Sequence, residues 1–125
     1  MTAAILQGVP ATTLDTALWI DLPPKQYIKV LNLCRRLGAE VLANTVVALA
    51  DDTMVNFVYR VGGLRSFGSE YKDAHEISWL GARARVLPLE RVYASKKFLG
   101  RPKDLAHLPL LEQALRLEAR GAQQT

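Results

Sequence analysis

A chain of 125 residues, half of them hydrophobic and with a net charge of +4, suits one folded domain over 1–120 with a short disordered tail at 121–125. Its apolar runs are short and broken by charge, which excludes a membrane-spanning helix, and residues 1–6 lack the basic start and apolar core of a signal peptide. A single cysteine, Cys34, excludes an internal disulfide and a thiol cluster for zinc, and the cytoplasm is the expected compartment.

In chain order, residues 2–7 read as a short helix, Gly8-Val9-Pro10 as a turn, and 16–22 as a strand. Pro23-Pro24 starts a helix to residue 37, with Ile28, Leu31, Cys34 and Leu37 along one side and Gly38 ending it. Cys34 on that stripe is expected to pack as a small hydrophobe. Residues 45–50 and 54–61 form a hairpin around Asp51-Asp52-Thr53, where aspartate serves the turn by local hydrogen bonding in preference to binding metal. A polar connection follows over 62–73, with a turn at Gly62-Gly63 and one helical turn near Glu70-Tyr71-Lys72. Residues 76–80 and 83–87 flank Gly81-Ala82 as a second hairpin, with Ile77, Trp79, Ala84 and Val86 inward. Pro88 opens a helix to residue 99, closed by Gly100, and Pro102 starts another that Pro109 restarts or kinks. The sum is an α+β domain, a mixed or antiparallel sheet with helices mainly on one side.

Charge is unevenly placed. Residues 1–62 hold five basic and five acidic side chains, whereas in 83–103 seven basic residues are offset by Glu90 alone. Such a cluster suits phosphates, on a nucleotide or a nucleic acid, or serves as a solubilising face. With only Tyr93 and Phe98 nearby for base stacking, a dedicated single-strand binder is disfavoured.

The most informative segment is residues 8–20. On a strand, Asp15, Ala17, Trp19 and Asp21 share one face. A metal-dependent phosphoryl-transfer site needs two carboxylates two residues apart on such a face, to hold Mg²⁺ against a triphosphate. Here the second place is Ala17.

This segment resembles the nucleotidyltransferase superfamily of DNA polymerase beta-like fold, in particular small bacterial minimal nucleotidyltransferases and abortive-infection toxins. Their pattern runs roughly Gly-Val-Pro-Arg-x-Thr-x-Asp-Ile-Asp-Leu-Trp-Val. Gly8, Val9, Pro10, Thr13, Asp15, Leu18 and Trp19 match, with Ala11 in place of the arginine and Ala17 in place of the second aspartate. The stretch from Ser95 to Ala106 is similar to the family's Lys-Arg-x-x-Gly-Arg-Pro-Lys-Asp-Leu-x-Asp element. The resemblance implies a mixed sheet packed with helices and a third carboxylate on a later strand, where Asn56 stands here. It also implies a first strand with a Gly-Gly or Gly-Ser phosphate loop, which this sequence lacks, since it enters at the following helix. It leaves Asp15 as the one residual catalytic and metal-binding candidate, supported by Thr13, and gives Lys96, Arg101 and Lys103 to phosphate.

Lys96 falls on an apolar stripe with Leu89, Val92, Tyr93 and Leu99, where a lysine either snorkels or finds an anion. By resemblance that anion is Asp15 or a phosphate. Asp104 lies in the first turn after Pro102, where free N–H groups favour a carboxylate, and an ion pair with Arg101 or Lys96 would lock the helix–helix corner. His75 and His107 lack acidic neighbours at ligand spacing and are expected as surface or hydrogen-bonded residues. The serines fit no nucleophile-elbow pattern.

The expected function is therefore a catalytically degenerate nucleotidyltransferase-like protein that binds a nucleotide, an RNA end or a partner protein, with no cofactor. The alternatives are an active transferase using Mg²⁺ and NTP at an unusual or subunit-shared site, with Asp21 or Asp52 contributing, and a structural module linked to a toxin–antitoxin or mobile-element system. A homodimer is expected along the 16–22 strand, near Trp19 or Leu22, because the resembled fold pairs a further strand there.

Overall fold

The computed structural model describes residues 1–11, 13, 15–79 and 81–124, without the side chains of 79 and 122–124. Leu80 and Thr125, at the ends of a predicted strand and of the predicted tail, lie outside the described residues, as does the inward placement of the Trp79 side chain. The elements run α1 (Thr2–Leu6), β1 (Asp15–Trp19), α2 (Pro24–Arg36), β2 (Glu40–Ala43), β3 (Val46–Ala48) and β4 (Met54–Val58). They continue with α3 (Phe67–Asp73), β5 (His75–Trp79), β6 (Ala82–Val86), α4 (Leu89–Leu99) and α5 (Pro102–Gln124). The fold is α+β. The chain divides into two compact units, Thr13–Arg60, and Met1–Thr12 with Val61–Thr125.

The Thr13–Arg60 unit is a mixed four-stranded sheet in the order β1-β4-β3-β2. β1 runs parallel to β4, while β3 is antiparallel to both β4 and β2. Alternation along β4 buries Val55 and Phe57 on one face, where with Val47 they form a core covered by Tyr27, Val30, Leu31 and Cys34 of α2. Helical periodicity alone points to Ile28, Leu31, Cys34 and Leu37, yet Ile28 and Leu37 are exposed. The stripe is rotated toward Tyr27, whose ring meets Phe57 edge-on and whose hydroxyl donates to the Asn44 carbonyl. Pro24 starts α2, and Gly38 ends it at φ +89°, with Gly38 N–H on the Arg35 carbonyl and Ala39 N–H on that of Cys34. This is the paired bonding that a left-handed glycine makes possible at a helix end. β1 stops at Trp19, before the predicted residue 22, and Tyr59 then donates its hydroxyl to the Leu22 carbonyl.

β2 is absent from the sequence-based expectation, because only Val41 of its four residues joins the core. The β3–β4 turn forms as expected. Thr53 N–H donates to Asp51 Oδ1 at 3.0 Å, and Asp52 takes a left-handed φ of 68°.

The other unit packs α1, α4 and α5 around Ala4, Val9, Leu89, Val92 and Leu111. α3 is a full helix where one turn was expected, capped by Ser66, whose hydroxyl accepts the Ser69 N–H at 3.4 Å. β5 and β6 form the predicted hairpin as a separate two-stranded sheet. Gly100 closes α4 at φ +60°, and α5 continues through Pro109 to Gln124.

Candidate functional site

Thr13 sets the entry to β1: its hydroxyl donates to the Asp15 carbonyl at 3.0 Å and accepts the Asp15 N–H at 3.3 Å. The strand then presents Asp15, Ala17 and Trp19 on one face. The register to β4 sets Asp15 beside Met54 and Ala17 beside Asn56. Paired residues of neighbouring strands share a face at ~4.8 Å, and Asp15 lies ~7 Å along the strand from Ala17. Asp15, Ala17 and Asn56 are thus one triangle of adjacent positions, filled by a carboxylate, a methyl group and an amide. The amide oxygen is an acceptor without charge, and a hard divalent cation prefers carboxylate oxygen. No group of three His, Cys, Asp or Glu side chains among the described residues is arranged to hold a metal ion.

The second set of candidates meets at the α4–α5 corner. Asp104 is fully buried and is the hub. Its Oδ1 accepts from Lys96 Nζ at 3.3 Å and Arg101 Nη2 at 3.2 Å, and its Oδ2 from Arg101 Nε at 2.6 Å and the Arg101 N–H at 3.2 Å. The last bond is the cap expected of an acid in the first turn of α5. Burial alone would raise the Asp104 carboxyl, but the hydrogen bonds from Arg101 and Lys96 outweigh it and hold the pKa down to about 2. Burial lowers the Lys96 ammonium, and Asp104 pulls back against that shift. Of the anions weighed for Lys96 by sequence (Asp15, a phosphate and Asp104), Asp104 is the one that holds it here. Arg101 remains half exposed and Lys103 is exposed, so these two reach solvent. Asp15 and Thr13 belong to one unit, and Lys96, Arg101, Lys103 and Asp104 to the other.

Sequence reasoning missed a second buried carboxylate, Glu70 of α3. Arg91 of α4 grips it through Nε at 3.0 Å and 3.2 Å and through Nη2 at 2.6 Å. Arg65 adds its N–H at 3.0 Å and Nη2 at 3.1 Å, and reaches Asp73 at 2.8 Å. The Arg91 hydrogen bonds are the main reason that the Glu70 pKa falls to about 2, against the upward pull of burial. The partners lie 5 and 21 residues away, so no spacing rule finds them.

These pairings account for much of the basic cluster over 83–103. Arg83 meets Glu76 at 3.5 Å, Arg85 lies 4.4 Å from the centre of the Tyr71 ring, and Arg91, Lys96 and Arg101 hold buried acids. Gly62-Gly63 is a turn against α4. A Cβ on Gly63 would sit 2.6 Å from Phe98 Cβ, and its φ is +79°. His107 Nδ1 is buried without a hydrogen-bond partner among the described residues, and burial, then Lys96, lowers its pKa. No helix among the described residues is long and apolar enough to cross a membrane. No protein-family model, curated protein or solved structure matches the chain.

Proposed function

We propose that this chain is a nucleotidyltransferase-like protein that has lost transfer chemistry and keeps a binding role toward a nucleotide, an RNA end or a partner protein. The observation that carries the proposal is the β1–β4 register, in which Ala17 and Asn56 are direct neighbours on the face of Asp15. These are the positions at which the resembled sequences have their second and third carboxylates. Transfer of a nucleotidyl group depends on divalent ions that bind the triphosphate and stabilise charge as the α-phosphate is attacked. Deleting a single stabilising group in such a site costs ~10²–10³ in rate, and two of three are replaced here. At the other motif, Asp104 holds Arg101, and Arg101 with exposed Lys103 supplies the anion contact, while Lys96 serves as a structural counter-ion.

Incubation with labelled NTPs, Mg²⁺ and mixed tRNA is expected to give no label transfer to RNA or protein. Transfer that is abolished by Asp15→Ala overturns the proposal. A bound nucleotide is expected to raise the thermal midpoint, by ~2.7 kcal/mol of added stability at 100 times the dissociation constant. The homodimer belongs to the same proposal, since β1 is the end strand of its sheet. Light scattering at micromolar concentration is expected to read twice the 13.8 kDa chain mass, and a monodisperse monomer removes the dimer.

A further inference from the structure

Every ion pair described in the chain lies in the unit that contains α3, α4 and α5. The Thr13–Arg60 unit has the opposite character. Its acids and bases cancel in number, but α2 carries Lys25, Lys29, Arg35 and Arg36 and no acidic residue. All four are exposed, and among the described residues none is in an ion pair; Arg35 donates to Asn32 Oδ1 at 3.0 Å.

Their arrangement on the helix is specific. At ~100° per residue, Lys25, Lys29, Asn32 and Arg36 fall within an arc of ~60°, and they span ~16 Å along the axis. They form one straight, outward stripe of three cations and one amide. The opposite side of α2 is packed on the sheet through Tyr27, Val30, Leu31 and Cys34.

We infer that this stripe of α2 is a docking surface for the backbone of double-stranded RNA. Charge complementarity sets the sign of the partner: an acid-free row of unpaired cations favours a polyanion, and each phosphate it neutralises releases counter-ions. The spacing favours a row of fixed negative charges over a single anion. Membrane insertion is disfavoured because the apolar side of α2 already covers the core of its sheet. Single strands are disfavoured because the one aromatic residue of α2, Tyr27, is turned inward and leaves no ring for stacking. Asn32 favours RNA over DNA, since it is exposed between the cations, its oxygen is taken by Arg35, and its amide can donate to a 2′-hydroxyl. Exposed Ile28 and Leu33 border the stripe and suit the ribose carbons of a wide, shallow minor groove. This inference does not depend on any transfer chemistry.

The test is fluorescence anisotropy with a labelled 20-base-pair RNA duplex of mixed sequence, between 50 and 200 mM NaCl. At a slope of ~0.9 per neutralised phosphate, removing three cations lowers the salt slope by ~2.7. The wild type is therefore expected to lose ~40-fold more affinity over that range than K25Q/K29Q/R36Q. R116Q/R120Q, at exposed positions of α5 outside any assigned site, is expected to keep the wild-type slope. Equal slopes for wild type and triple variant overturn the inference. So does absence of duplex binding, equal affinity for the matching DNA duplex, or binding to polyglutamate or anionic vesicles in place of RNA. Should the triple variant fail to fold, lysine acetylation footprinting of the wild type decides. Protection of Lys25 and Lys29 by the RNA duplex supports the surface, and unchanged reactivity overturns it.

Discussion

Asp104→Asn keeps the shape of the α4–α5 corner and removes only its charge. In the wild type the carboxylate is fully buried and accepts four hydrogen bonds. An amide must turn an NH₂ group either toward Lys96 and Arg101 Nη2 or toward the N–H and Nε of Arg101, so two acceptor contacts become donor against donor. Lys96, with 13% of its side chain exposed, loses its counter-ion. Two estimates bracket the effect. A depression of the carboxyl from 3.8 to about 2 is worth roughly 2 kcal/mol at 1.36 kcal/mol per pH unit. Removing one partner of a buried pair costs about 3–5 kcal/mol, and the lower end applies because Arg101 is half exposed. The expected loss at pH 7 is therefore about 3 kcal/mol, read from urea unfolding. The folded-state pKa is depressed, so this contribution is complete above the unfolded value near 4 and is lost as pH falls through about 2. The wild-type advantage should hold from pH 7 to pH 5 and shrink steadily from pH 4 to pH 2. A loss below 1 kcal/mol at pH 7, or a difference that does not change down to pH 2, refutes a charge-based lock.

Glu70→Gln should destabilise by about 3 kcal/mol at pH 7 with the same acid dependence, since its carboxyl is also held at about 2. In urea unfolding, Arg91→Ala should cost more than Arg65→Ala, because Arg91 makes three side-chain bonds to Glu70 and is 27% exposed against 53%; the reverse order rejects Arg91 as the main partner. Gly63→Ala should lose about 2–3 kcal/mol from its positive φ and its overlap with Phe98, whereas Gly68→Ala, on α3 with open space, should be neutral or gain up to about 1 kcal/mol. Thermal melts of the pair check this, and equal melting points contradict the close approach of Gly63 to α4.

Local signals carried most of the elements. Prolines at 24, 88 and 102 and glycines at 38 and 100 mark helix ends because their effect is set by backbone geometry within one turn. The α2 stripe was misplaced because 3.6-residue periodicity admits neighbouring registers, and an aromatic ring with a polar tip, Tyr27, decided between them. At the corner, Lys96 and Asp104 were legible because a single left-handed residue, Gly100, joins their helices. Glu70 was not, since its partners arrive from a loop and from another helix. Counting charge along the chain misled twice. The 83–103 cluster is offset by Glu70, Glu76 and Asp104 from outside that window, and the zero sum over 1–62 hides the acid-free α2. The shared face of Asp15 and Ala17 was readable from strand alternation, but only the parallel register set Asn56 beside Ala17.

Metal binding tests the reading proposed for the shared face of β1 and β4 most directly. Titration of Mn²⁺ into the wild type, followed by calorimetry, is expected to show no saturable binding at millimolar metal. A17D/N56D, with Asp15 retained, is expected to bind Mn²⁺ at one site, and D15N in that background is expected to abolish it. Saturable submillimolar binding by the wild type, or a folded A17D/N56D that takes up no metal, would contradict the proposal that Asp15, Ala17 and Asn56 occupy the positions of a lost metal site.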